Sequence, residues 1–122
     1  MQYTADLNTL LPQLQTKTSA TVFVANAPDF SLLPAIQQAA AAGSFCGGPP
    51  TQAAIHAKTL QWNQVIDATV AAHHDTLINL YDANLAGHPD YISFDGFHPS
   101  DAGYLALANL FWAAISAQKA AA

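Results

Sequence analysis

An acid and a histidine stand three residues apart in the run Phe94-Asp95-Gly96-Phe97-His98-Pro99-Ser100-Asp101-Ala102-Gly103-Tyr104, a loop that leads straight into a helix. That spacing lets a carboxylate hold one imidazole nitrogen while the other nitrogen faces a nucleophile. Asp95 and His98 are therefore the candidate catalytic pair. Candidate nucleophiles within the chain are Ser31, Ser44, Ser93 and Cys46. Ser93 lies only two residues before Asp95, a separation that more readily serves packing or a turn. Ser44 and Cys46 share a Gly/Pro-rich loop. A thiolate beside an imidazole is a good nucleophile, but a lone cysteine more often behaves as a small buried apolar side chain. No serine sits in a Gly-x-Ser-x-Gly elbow.

The other residues able to do chemistry read more quietly. His73-His74-Asp75 suggests a metal site at first sight. Adjacent helical residues point in different directions, however, and a histidine near a helix C-terminus is favoured by the dipole. No metal is assigned. His56 and His88 read as surface or loop residues. Asp29 follows a strand-like run and either caps a turn or lines the mouth of a pocket. Trp62 and Trp112 fall at helical positions and suit a core or an interface.

At 122 residues the chain is one domain at most. A hydrophobic fraction of 52% can fill a core and argues against disorder. Charged residues make up only 9%, with no Arg and no Glu. A net charge of −5 speaks against nucleic acid and anionic membrane surfaces as partners. The single Cys46 excludes an intrachain disulfide and a cysteine-based zinc site. No apolar run is long enough to span a bilayer. Met1 is followed by Gln2-Tyr3-Thr4-Ala5-Asp6, so no signal peptide is read in this chain.

The elements that must position Asp95 and His98 follow from periodicity. Tyr3, Leu7, Leu10, Leu11 and Leu14 predict a helix over 3–17, with Pro12 a cost inside it. Residues 21–26 and 76–81 are apolar runs bounded by turn residues and predict two buried strands. Pro34 suits the first turn of a short helix ending near Gly43. Thr51 can cap a long helix to about His74, with Ile55, Leu60, Trp62, Val65, Ile66 and Val70 on its apolar side. Residues 82–99 form a long loop. Ser100 then caps a helix from Asp101 to about Gln118, with Tyr104, Leu105, Leu107, Ala108, Phe111 and Ile115 toward a core.

Two strands joined through helices imply a parallel pair with a right-handed crossover. Strands apolar throughout are usually covered on both faces. Two such strands leave open edges that must be paired. The class is α/β, with a partial parallel sheet of about two strands and four helices, completed by another polypeptide or a second copy.

The Asp95/His98 block, with Pro99, Gly103 and the helix start in register, resembles the Asp-x-x-His-Pro block of the SGNH (GDSL-type) ester hydrolases. Val22 to Asp29 is similar to that family's fourth strand and following loop, and Leu77 to Tyr81 to its fifth strand. Tyr3 to Leu14 resembles the helix after its third block. The likeness covers nearly the whole chain, as the family's C-terminal half, so residues 1–122 would be one half-domain of a three-layer αβα, flavodoxin-like fold. No Gly-Asp-Ser block and no Gly-x-Asn-Asp block occurs in the chain. These blocks carry the family's serine nucleophile and oxyanion donors.

By this resemblance Asp95 would orient and charge-stabilise the imidazole. His98 would be the general base toward a serine and then the acid toward the leaving alcohol. Phe94 and Phe97 flank the pair and would either form the apolar wall of an acyl pocket or serve ordinary packing. In the family's layout Ser44 and Cys46 could approach that pocket. The implied function is carboxylic ester hydrolysis (esterase or lipase-like) on a small ester, with no cofactor. The serine would come from outside this chain: from a complementary chain carrying the Gly-Asp-Ser half, from a nicked precursor, or from further sequence of the same protein. Two alternatives stand beside it. One is a self-contained homodimeric hydrolase using Cys46 or Ser44. The other is a non-catalytic assembly or binding module. Family members include secreted and cytosolic enzymes, so the compartment stays open.

Overall fold

A computed structural model describes residues 2–43 and 51–121. The first apolar stripe forms helix α1, Gln2–Lys17, with Pro12 inside it. Strand β1, Phe23–Ala25, is shorter than the apolar run that contains it. A 3₁₀ turn, Phe30–Leu32, leads into α2, Pro34–Ala41, whose first residue is the proline that suits it. Helix α3 runs Gln52–Ala72, and the Thr51 hydroxyl accepts from the Ala54 amide at 3.1 Å as its cap. Strand β2, Thr76–Ile78, follows. Two further 3₁₀ turns, Leu85–Gly87 and Pro89–Tyr91, precede α4, Asp101–Ala121.

The two strands pair in parallel, with Phe23, Val24 and Ala25 opposite Thr76, Leu77 and Ile78. Among the described residues they are the whole sheet. Helices α3 and α4 both pack on β2, and α1 packs on α3. The fold is thus mixed α/β and mostly helical, with four helices and a two-stranded sheet among the described residues.

Burial departs from the apolar pattern in three places. The strands are only half-buried apart from Ile78, because a pair of strands with two open edges has too few neighbours to be covered. Helix α4 was expected to turn Tyr104, Leu105, Ala108 and Phe111 inward. Tyr104 is instead 57% and Leu105 63% exposed, and Phe111 and Ala108 also face solvent. Helix α3 buries Thr59, Asn63, Ile66, Thr69 and Val70, a stripe at four- and three-residue steps, while Leu60 and Trp62 lie outside it. Thr59 and Thr69 satisfy their hydroxyls on the Ile55 and Val65 carbonyls one turn back, at 3.1 and 2.8 Å.

Two buried asparagines hold the ends of the strands. Asn26 accepts from the Leu80 and Tyr81 amides at 2.7 and 3.1 Å and donates to Asn79 at 3.1 Å, so it ties the exit of β1 to the exit of β2. Asn63 donates to the Ala27 carbonyl and accepts from the Ala27 amide, both at 2.8 Å. These bonds fix the chain leaving β1, which becomes one wall of the candidate site.

Candidate active site

The loop between β2 and α4 is short of regular structure but dense in hydrogen bonds. Ser93 N donates to the His98 carbonyl at 2.8 Å, Gly96 N to Ser93 O at 3.0 Å, and Ser100 N to Tyr91 O at 2.8 Å. Ile92 and Pro99 form an isolated antiparallel bridge beneath this closure. Gly96 takes a left-handed φ of 71°, which a side chain would oppose. Its carbonyl accepts from the Ala35 amide at 3.1 Å, fastening the loop to the start of α2. Ser100 caps α4 as its sequence position predicts: its hydroxyl accepts from Gly103 N at 3.2 Å and donates to the Asp90 carbonyl at 2.6 Å.

Inside that loop Asp95 and His98 meet. Asp95 Oδ2 lies 2.6 Å from His98 Nδ1. Asp95 Oδ1 accepts from the Ser93 hydroxyl at 2.6 Å, from Phe97 N at 2.9 Å and from His98 N at 3.0 Å. The Ser93 hydroxyl, His98 and the two amides hold the Asp95 carboxyl well below the usual carboxylate range. With Nδ1 facing a carboxylate, the neutral imidazole presents Nε2 as its acceptor. Among the described residues nothing bonds Nε2. The His98 side chain is 66% exposed, and its ring meets Phe97 edge-on at 5.1 Å.

His98 also stands on the wall of an apolar cavity of about 220 Å³. Pro28, Phe30 and Leu33 line it from the chain after β1, and Leu85, Ile92, Phe97 and Leu107 are among the residues that line it from the loop after β2 and from α4. The arrangement sets a charge-held imidazole beside a space suited to an apolar group.

The other sequence candidates fall as follows. Ser93 sits on the carboxylate and not on Nε2, so the structure does not bring it to His98 as a nucleophile. Phe97 lines the cavity, but Phe94, expected beside it as a wall, is fully exposed because the closed turn directs it outward. Ser44 and Cys46 lie outside the described residues. His73 bonds Asn8 at 3.1 Å and Asp75 accepts from Gln15 at 2.8 Å, both side-chain links to α1. Among the described residues no group of three His, Cys, Asp or Glu is placed to hold a metal ion. No helix described is long and apolar enough to cross a membrane.

Asp29 both caps a turn and lines a cavity, although not the one beside His98. It caps the turn Phe30–Leu32, accepting from Ser31 N at 3.0 Å and the Ser31 hydroxyl at 2.6 Å. Its second oxygen lies 2.6 Å from His56 Nδ1. Burial pushes the Asp29 carboxyl up, but the Ser31 hydroxyl, His56 and the Ser31 amide outweigh that and leave it below its ordinary value. Sequence reading made His56 a surface or loop residue; it lies half-exposed on α3, and its partner 27 residues away leaves no local signal at the histidine. The only local signal was the Asp-x-Ser turn at 29–31.

No protein-family model, no curated protein and no solved structure matches the chain.

Proposed function

We propose that this chain is the imidazole-bearing part of a carboxylic ester hydrolase of the SGNH type, completed by a serine from polypeptide outside it. The observation that carries this reading is His98 Nδ1 held at 2.6 Å by Asp95, with Nε2 unbonded among the described residues and the ring on the wall of an apolar cavity. The open edges of the two-stranded sheet and the exposed apolar side chains of α1 and α4 support completion by a complementary chain or a second copy.

In the proposed reaction the serine hydroxyl gives its proton to His98 Nε2 while its oxygen attacks the ester carbonyl carbon. Asp95, kept ionised by its donors, stabilises the imidazolium that forms. His98 then returns the proton to the leaving alkoxide as the carbon–oxygen bond breaks. Water then bonds to the acyl carbon as its proton passes to the same nitrogen, and the imidazolium returns that proton to the serine oxygen as its bond to the acyl carbon breaks and the acid leaves. The apolar cavity takes the hydrocarbon part of the ester.

The test is affinity isolation of the tagged chain from its own cells under non-denaturing conditions, followed by a fluorophosphonate probe and peptide mapping. The expected result is a labelled serine on sequence outside residues 1–122, with labelling lost when the chain carries His98→Ala. No such serine, or equal labelling with the variant, overturns the proposal.

A further inference from the structure

The Asp95–His98 pattern of contacts occurs a second time. Asp29 accepts a serine hydroxyl two residues away at 2.6 Å and a backbone amide at 3.0 Å on one oxygen, and faces an imidazole Nδ1 at 2.6 Å with the other. This copy is the better buried: Asp29 is 8% and Ser31 3% exposed. The pair borders a shallow, open hollow of about 340 Å³, lined by Asp29, Ser31, Leu32, Gln52, Ala53 and His56. The chain from Pro28 to Leu33 divides the two sites. Pro28, Phe30 and Leu33 line the apolar cavity of His98, while Asp29, Ser31 and Leu32 line the other.

A tether between α3 and the turn would use Nδ1 alone. His56 offers more: its side chain is 44% exposed, and Nε2 has no partner among the described residues. Gln52 donates its amide to the Ser31 carbonyl at 3.1 Å, which leaves its own carbonyl oxygen as a second acceptor on the cavity wall. A buried carboxylate that fixes an imidazole bordering an open hollow, with the ring's other nitrogen unbonded among the described residues, is the arrangement of a positioned general base.

We propose that Asp29 and His56 form a second acid–base site, independent of Asp95 and His98, that hydrolyses small activated carboxylic esters. His56 Nε2 takes a proton from water as the water oxygen bonds to the carbonyl carbon. The bond from that carbon to the leaving oxygen then breaks, and the imidazolium gives its proton to the departing oxyanion. His56 is the catalytic residue and Asp29 the positioning residue.

The experiment follows p-nitrophenyl acetate hydrolysis by the purified chain carrying His98→Ala, which removes the first dyad. That chain is expected to exceed the buffer rate. Adding His56→Gln is expected to remove about a hundredfold or more of the excess, or all that can be measured. Asp29→Asn is expected to lower kcat with KM unchanged, a split that mere loss of packing would not give. A His98→Ala chain no faster than buffer, or a double variant as fast as His98→Ala, overturns the proposal. If circular dichroism shows His56→Gln unfolded, diethyl pyrocarbonate on the folded His98→Ala chain decides instead. Carbethoxylation of His56, read by mass spectrometry, must then track the loss of rate; loss without it, or modification without loss, overturns the proposal.

Discussion

Gly103 in the first turn of α4 lies against the Tyr91 carbonyl so closely that a Cβ would come within 2.1 Å of that oxygen. The same carbonyl accepts the Ser100 amide, and Pro99 stands 3.0 Å from the same Cβ position. The contact presses the helix start onto the strand-like segment that closes the His98 loop. Backbone cannot swing away as a flexible side chain can, so Gly103→Ala must move α4 or the loop. Overpacking of this kind costs about 1–3 kcal/mol. Urea denaturation of Gly103→Ala should show a lower midpoint at an unchanged slope. An unchanged midpoint would mean that α4 shifts freely and that the contact does not set the loop.

The Asn63 side chain makes a second such fixture by bonding both groups of the Ala27 peptide. Asn63→Leu keeps the branching at Cγ but strands the part-buried amide and carbonyl of Ala27, each costing up to about 1–3 kcal/mol. Stability should fall by more than the loss from Leu60→Ala on the exposed side of the same helix. Chemical denaturation of both variants makes the comparison.

Asn63 also shows where reading the sequence stops. Periodicity finds apolar stripes, and it placed the four helices and two strands of the described residues. It put Leu60 and Trp62 on the inner face of α3 because they are large and apolar, whereas the inner face holds Thr59, Asn63 and Thr69. Those polar residues are buried because each finds a backbone partner, one turn back or across the fold, and such pairing leaves no periodic trace. The inward side of α4 was misread for a related reason. Tyr104, Leu105 and Phe111 repeat at core spacing, but among the described residues the sheet has two strands with which to cover them. Asp95 and His98 were legible because their contact is local, closed within three residues. The Asp29–His56 contact joins two elements, and only the fold reveals it.

The depressed Asp95 carboxyl makes a pH prediction with a definite sign. A carboxyl whose folded value lies below its unfolded value binds fewer protons when folded. Its stabilising contribution is therefore full above the unfolded value of about 4. It fades as pH drops below that value toward the folded one. Asp95→Asn removes the charge at every pH. The gap in urea midpoint between wild type and Asp95→Asn should be widest above about pH 5 and should narrow steadily toward pH 3. Asp29 also titrates low, but it is common to both chains and cancels in the difference. A gap that stays constant over this range would show that the Ser93, Phe97 and His98 donors do not hold the carboxyl in its ionised form.

Ser93 separates a nucleophile from a positioning residue. Its hydroxyl donates to Asp95 Oδ1 at 2.6 Å, while Asp95 Oδ2 faces His98. A serine that attacked the ester would have to leave that bond and reach Nε2 on the far side of the imidazole ring. In the proposed hydrolase, Ser93→Ala should therefore keep fluorophosphonate labelling on the outside serine and slow it by about tenfold or less, a fraction of what one hydrogen bond to a charged acceptor is worth, because the Phe97 and His98 amides still hold the same carboxylate oxygen. His98→Ala should slow the same labelling by about a hundredfold or more. The labelled peptide settles which role Ser93 has. A probe adduct on Ser93 itself, absent in Ser93→Ala, would make this loop carry its own nucleophile and would remove the need for a serine from another chain.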